Sequence, residues 1–184
     1  MGLPEKKQYY TYADYLTWDD NERWELIDGV PYAMASPSTT HQRILKKFAV
    51  RLELFLEGKS CEVFIAPYDV RLNATEEDDT VVQPDLLVVC DDAKIDDKGC
   101  NGAPDMVIEI LSPSTAAHDR FRKFITYQNA GIREYWIVDP DSRTVQVHIL
   151  ENGRYFIKIY GETEAIPVHV LEGCEINLSG VFPG

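Results

Sequence analysis

DMVIEILSPSTAAHDRFRKFITYQNAGIREYWIVDP, residues 105–140, is the stretch whose reading decides the fold. Its first part sets Met106, Val107, Ile108, Ile110 and Leu111 around a single carboxylate, Glu109, which predicts a strand buried on both faces. Ser112, Pro113, Ser114 and Thr115 stop that strand and offer hydroxyl N-caps for a helix, which Gly131 closes as a C-cap residue. On this helix Asp119, Lys123 and Tyr127 lie four apart and share one face, while Phe121, Phe124 and Ile125 are expected to face the core. Tyr135, Trp136, Ile137 and Val138 form a second strand, ended by the turn residues Asp139, Pro140, Asp141 and Ser142. A strand, helix and strand of this length make a right-handed crossover between parallel strands. Polar groups at the carboxyl end of such a strand are well placed for a site.

Upstream, Thr11 is expected to cap a short helix through Ala13, Tyr15 and Leu16. Trp24, Leu26 and Ile27 alternate with Glu25 and Asp28, the Asp28-Gly29 dipeptide predicts a hairpin turn, and residues 30–35 are the return strand. Ser36, Pro37 and Ser38 announce a long helix with Ile44, Leu45, Phe48, Leu52, Phe55 and Leu56 on one stripe and Gly58 as its stop. Residues 61–65 and 68–72 are two further strands joined around Pro67. The run 81–89, VVQPDLLVV, reads as a second buried strand carrying one carboxylate, Asp85. Downstream, residues 144–150 and 154–159 alternate about Glu151, Asn152 and Gly153 as a hairpin, and the tail from Pro167 is expected to add at most an edge strand.

The length of 184 residues suits a single domain, 1–184, with its core over about 12–160, and 45% hydrophobic residues with 11% aromatics befit a folded globule. Residues 1–7 lack the apolar core and small-residue cleavage site of a leader, and no apolar run is long enough to span a bilayer. The expectation is a cytoplasmic protein without membrane attachment. The four cysteines, Cys61, Cys90, Cys100 and Cys174, and the four histidines, His41, His118, His148 and His169, are scattered. That spacing argues against zinc and against a disulfide framework, so Cys61 and Cys90 are read as small buried hydrophobes.

Eighteen Lys and Arg against thirty-one Asp and Glu give a net charge of -13, which repels a phosphate backbone at long range. Part of the excess falls in two clusters, residues 76–79 and Asp91, Asp92, Asp96 and Asp97, both read as solvated loops. Against it stands a basic ridge on the long helix, where Arg43, Lys47 and Arg51 recur every four residues beside Lys46. The ridge is an ordinary solvated face unless it borders the site, where it would track phosphates.

Asp85 and Glu109 are single carboxylates in strands too apolar to solvate a charge, and each therefore needs a partner. Two carboxylates from neighbouring strand ends, with the backbone carbonyl of Ile110, would present hard oxygen ligands to Mg2+ or Mn2+ that keeps several waters. Such an ion activates water near neutral pH and stabilises charge on a phosphoryl oxygen. Lys123 would reach back to stabilise developing negative charge or orient the attacking water, with Asp119 holding it in place. A competing account has Asp85 opening a turn after Pro84, Glu109 paired with an arginine, and Asp119 with Lys123 as a surface helix pair. The residue types alone leave the two accounts level.

Pro84-Asp85 followed by Glu109-Ile110-Leu111 resembles the divided active-site motif of the PD-(D/E)XK nuclease superfamily. The whole pattern is similar to the Uma-type restriction endonuclease family, through WELIDGVPYAM, SPSTTHQRIL, VVQPDLLVVCD, VIEILSPST, then Asp119, Lys123 and Tyr127, and AGIREYWIVDP. The resemblance implies an α/β, restriction-endonuclease-like core in which a mixed central β-sheet is flanked by helices, with N-terminal and C-terminal β-hairpins. Carried over, Asp85 and Glu109 match metal-binding acids, Glu25 matches an acidic position that supplies a further ligand in some members, and His41 matches a recurrent histidine with no assigned role. The lysine that the superfamily places two residues after the glutamate is Leu111 here, on the same side of the strand as Glu109. Lys123 matches the position to which the Uma-type pattern moves that lysine.

The resemblance thus implies a Mg2+- or Mn2+-dependent endonuclease hydrolysing DNA phosphodiester bonds, and a homodimer. Asp85, Glu109 and the Ile110 carbonyl would hold the metal, Lys123 would stabilise the transition state, and Glu25, His41, Asp119 and Tyr127 are accessory candidates. A second expectation rests on the net charge and on Leu111: a catalytically silent nuclease-fold protein acting through protein partners or as a dimeric binding module. A carboxylate-pair glycosidase ranks last, because Lys123 beside the pair would hold both acids ionised.

Overall fold

Turn chemistry and capping build the amino-terminal half. The computed structural model describes residues 8–18, 22–73, 78–112 and 119–183, with 119 and 120 described by backbone alone. Thr11 caps α1 (Tyr12–Tyr15), its N–H donating to Asp14 Oδ2 at 3.0 Å. Strands β1 (Trp24–Ile27) and β2 (Val30–Ala33) pair antiparallel about Asp28 and Gly29, whose φ values of 51° and 71° are those a two-residue hairpin requires. Ser38 caps the 18-residue helix α2 (Thr39–Leu56) by accepting the His41 N–H, and Ile44, Leu45, Phe48, Leu52 and Leu56 form its buried stripe.

The middle of the chain supplies β3 (Glu62–Ile65), β4 (Val70–Arg71), β5 (Val81–Val82), β6 (Leu86–Val89), β7 (Ile95–Asp96), β8 (Gly99–Asn101) and β9 (Met106–Ile110). A π-helical turn over Asp119–Lys123 leads into α3 (Phe124–Ala130), which Gly131 ends in the left-handed conformation. Then follow β10 (Glu134–Asp139), β11 (Thr144–Glu151), β12 (Arg154–Gly161), β13 (Ala165–Pro167) and β14 (Glu175–Asn177).

The central sheet has the order β12-β11-β10-β9-β6-β3, and a smaller sheet runs β2-β1-β5-β4-β8-β7. Within the central sheet β9 and β10 are parallel, from Met106 opposite Glu134 to Ile110 opposite Val138, and their neighbours pair antiparallel. The predicted crossover is present and the sheet is mixed. One face, through Leu86, Val88, Met106, Ile108 and Trp136, packs on α2 and on the carboxyl-terminal segment. The other, through Leu87, Val89, Val107 and Leu111, packs on Tyr127 of α3 and on Ile27, Val70 and Val82 of the smaller sheet. No described helix is long and apolar enough to cross a membrane.

Several expectations are corrected. Residues 81–89 are not one strand: the chain breaks at Gln83-Pro84-Asp85, and β5 and β6 lie in different sheets. Proline cannot donate to a ladder, so the break falls where a continuous strand would lose a bond. Cys61 and Cys90 form a disulfide, because antiparallel pairing of Glu62 with Val89 sets them across from each other one step outward. Asp78 is buried and salt-bridged to Arg71 at 2.9 Å, not a solvated loop residue. The tail forms its own two-stranded sheet, β13 with β14, not an edge of the central one.

Phe121 and Ile125, expected in the core, are 73% and 57% exposed, while Lys123 and Tyr127 are buried. Residues two apart on a helix lie about 200° round its axis. Turning the Lys123 and Tyr127 face inward therefore turns Phe121 and Ile125 to solvent. The expected caps Ser114 and Thr115 and the side chain of Asp119 lie outside the described residues.

Candidate active site

The start of α2, the break before β6, the carboxyl end of β9, strand β1 and the π-helical turn meet at one cleft of about 240 Å³. Its walls include Glu25, His41, Asp85, Glu109, Ile110 and Lys123. Leu86 pairs with Ile108, so one step further along β6 and β9 sets Asp85 across from Glu109.

Asp85 is fixed from three directions. Its carbonyl accepts the Ala66 N–H at 3.1 Å, and its Oδ2 accepts the Ile110 N–H at 2.8 Å. His41 Nε2 lies 2.9 Å from the same Oδ2, so the first turn of α2 orients this carboxylate. The imidazole is buried, and its Nδ1 has no hydrogen-bond partner among the described residues.

Glu109 is 3% exposed and Lys123 2%. The Lys123 ammonium stands 2.9 Å from Glu109 Oε1 and 2.9 Å from Glu25 Oε1, bridging an acid of β9 and an acid of β1. Each carboxylate has further support: Tyr127 donates its hydroxyl to Glu109 Oε1 at 2.6 Å, and the Gln83 N–H donates to Glu25 Oε1 at 2.9 Å. Burial, with the charges of Glu109 and Glu25 adding to it, pushes the Tyr127 hydroxyl well above its ordinary pKa and keeps it a donor. The account in which Glu109 pairs with an arginine and Lys123 lies on the surface does not hold.

Asp85, Glu109, Ile110, Lys123, Glu25, His41 and Tyr127 thus come together, and the expectation for Asp119 falls on an undescribed side chain. The sequence reading missed Gln83 and Arg23. Arg23 donates through Nε to Gln83 Oε1 at 2.9 Å and lines the cleft. A glutamine in an otherwise apolar run before Pro84 was the available signal.

The donor types suit a hard divalent cation: Asp85, Glu109 and Ile110, two carboxylates and a strand-end residue with a backbone carbonyl, line one cleft. Glu25, Asp85 and Glu109 outnumber Lys123 and the half-buried Arg23, so the cleft carries excess negative charge. Among the described residues no three His, Cys, Asp or Glu side chains gather to hold an ion by themselves.

A family model described as "Putative restriction endonuclease" matches residues 12–179. The chain belongs to that family, Uma2. This Uma2 chain is 29% identical over 157 residues to the uncharacterized protein slr1290 of Synechocystis sp., covering 83% of the chain and 81% of the relative. It is 28% identical over 134 residues to sll1609 of the same organism, covering 70% of the chain and 74% of that relative. A crystal structure of a putative nuclease belonging to DUF820 from Anabaena variabilis superposes with a TM-score of 0.75 at 19% identity, covering 94% of this Uma2 chain and 97% of the other. The mixed α/β fold is thereby shared with that structure.

Proposed function

We propose that this Uma2 chain is a metal-dependent endonuclease that hydrolyses phosphodiester bonds in DNA at the Asp85, Glu109 and Lys123 cleft. The observation that carries the reading is the Lys123 ammonium 2.9 Å from Glu109, with Asp85 one strand away. The lysine that nuclease strands carry beside the glutamate is replaced by Leu111, and a helix-borne lysine stands beside Glu109 instead.

Asp85, Glu109 and the Ile110 carbonyl would hold Mg2+ or Mn2+, which when bound supplies water activation and Lewis acidity at a phosphoryl oxygen. Lys123 stabilises negative charge that develops on the phosphate, in a site dry enough for that charge to count. Glu25 and Tyr127 fix the positions of Lys123 and Glu109, and His41 fixes Asp85. Arg43 and Lys46 are exposed on α2 and line a shallow depression that shares Gln42 and Leu45 with the cleft. The basic ridge thus borders the site, and its two leading cations offer a local track for phosphates on an acidic protein. Arg122, stacked 4.8 Å over the ring of Tyr32 at the cleft, adds a third.

We take the acting species to be a homodimer, because cutting both strands of a duplex takes two such sites. The edge strand β12, with Phe156, Ile157 and Ile159 exposed, is a surface suited to pairing with a second copy. Light scattering on the eluting protein tests that state, and a monomer at all concentrations contradicts it.

Nicking of supercoiled plasmid tests the function. Strand breaks are expected with Mn2+ or Mg2+ and none with EDTA. Equal cleavage in EDTA, or full cleavage by Glu109→Gln, contradicts the reading.

A further inference from the structure

The π-helical turn docks on the amino-terminal hairpin through two consecutive residues. Glu25 of β1 and Tyr32 of β2 are cross-strand partners, so their side chains stand side by side on one face of the hairpin. Lys123 bonds Glu25, and Arg122, the residue before it, lays its guanidinium over the Tyr32 ring, 4.8 Å from the centroid. Tyr32 is half-buried and lines the cleft, whereas Arg122 is exposed.

Arg122 is held differently from other cations of the chain. Arg71, Arg133 and Arg143 are each paired with a carboxylate, that of Asp78, Asp105 and Glu162 respectively. Lys59 and Lys158 lie over rings of their own segments, Phe55 and Tyr160. Arg122 makes no hydrogen bond or ion pair among the described residues, and its ring contact joins two elements at the cleft. A ring that holds a guanidinium by its flat face leaves the N–H edge to another partner. That edge is a fork matched to two oxygens of one phosphate. The stack also restricts a side chain that would otherwise lose much rotamer freedom on binding, so an incoming phosphate meets a fork already in place.

From these observations we infer that Arg122, held by Tyr32, grips the backbone phosphate next to the one that Lys123 serves, donating two hydrogen bonds to its non-bridging oxygens. The inference deepens the nuclease reading above and rests on it. Arg122 thereby has a different part from Arg43 and Lys46, which supply charge along a path. It fixes one phosphate, and phosphate contacts set the register of a strand on a protein. The register set here is that of the cut strand over Asp85 and Glu109.

The test is fluorescence anisotropy across a range of salt, with the intact chain and a labelled duplex in EDTA, where cleavage does not intervene. Arg122→Ala is expected to weaken binding about tenfold, the scale of hydrogen bonds to a charged group. It should also flatten the slope of log affinity against log salt by about one unit. Arg122→Lys keeps the charge without the stack or the fork, so it should keep the slope and still lose affinity. Tyr32→Phe, which keeps a ring, should bind more tightly than Tyr32→Leu, and adding Arg122→Ala to Tyr32→Leu should weaken binding little further. Unchanged affinity and slope in Arg122→Ala overturn the inference, as do full affinity in Arg122→Lys and additive losses for Tyr32→Leu and Arg122→Ala. Each of those results leaves the nuclease reading to the nicking assay. A wild type that binds no duplex overturns the grip as well, and nicking then decides the nuclease reading separately.

Discussion

Removing the ammonium of Lys123 would leave Glu25 and Glu109 facing each other in a site from which water is largely excluded. Breaking a buried pair by deleting one partner costs about 3–5 kcal/mol, because a charge is left uncompensated. Lys123→Met should therefore lower unfolding free energy by that order in urea titrations, and adding Glu25→Gln should recover part of the loss. Two additive losses would mean that the bridge is not a coupled unit. His41 acts one step removed, through Asp85. Replacing such a supporting residue typically lowers metal affinity or activity about 10–100-fold, so His41→Ala should raise the Mn2+ concentration needed for half-maximal nicking while leaving the fold intact. An unchanged metal dependence would leave His41 a merely structural contact.

The helix α3 shows where sequence reading stops at the scale of an element. Along the π-helical turn and α3 together, Phe121 and Ile125 lie opposite Lys123 and Tyr127, and hydropathy alone assigns them to the core, where of the three apolar candidates only Phe124 packs. The fold buries the other face, because Lys123 and Tyr127 find two carboxylates there while Phe121 and Ile125 find solvent. Phe121→Ser should accordingly change stability by about 0.5 kcal/mol or less, as surface substitutions do, where a core phenylalanine would cost several times more. The β9 to β10 crossover, the α2 stripe and the β1–β2 turn were legible, since each depends on local period and turn residues. The break at Pro84 and the pairing of Cys61 with Cys90 were not, since both depend on which strands become neighbours. Glu134 illustrates another long-range tie: its two oxygens accept the Trp136 indole N–H and the Val170 N–H, anchoring the carboxyl-terminal segment to β10. Burial, the largest cause, raises its carboxyl pKa above the ordinary 4.5. The unfolded chain then releases this proton before the folded one, so the stability it contributes is full below about pH 4.5 and falls as pH rises through the folded value. Glu134→Gln should flatten the decline of unfolding free energy with pH across that window, and an unchanged slope would refute the assignment.

For the whole molecule the difficulty is charge. A net charge of -13 opposes DNA, so the proposed binding would depend on a few local cations, among them Arg43 and Lys46 in the depression that shares Gln42 and Leu45 with the cleft. Each phosphate contact contributes about one unit to the slope of log affinity against log salt. The double variant Arg43→Ala, Lys46→Ala should thus flatten the slope by up to about two units, without regard to DNA sequence. The same slope in both proteins would place the backbone elsewhere. The most direct test of the account as a whole compares Mn2+-dependent nicking by wild type, Asp85→Asn, Glu109→Gln and Lys123→Ala, on equal amounts of folded protein. Cleavage by the wild type and its loss in all three variants are expected. Cleavage that survives at the wild-type rate in any of them would contradict it.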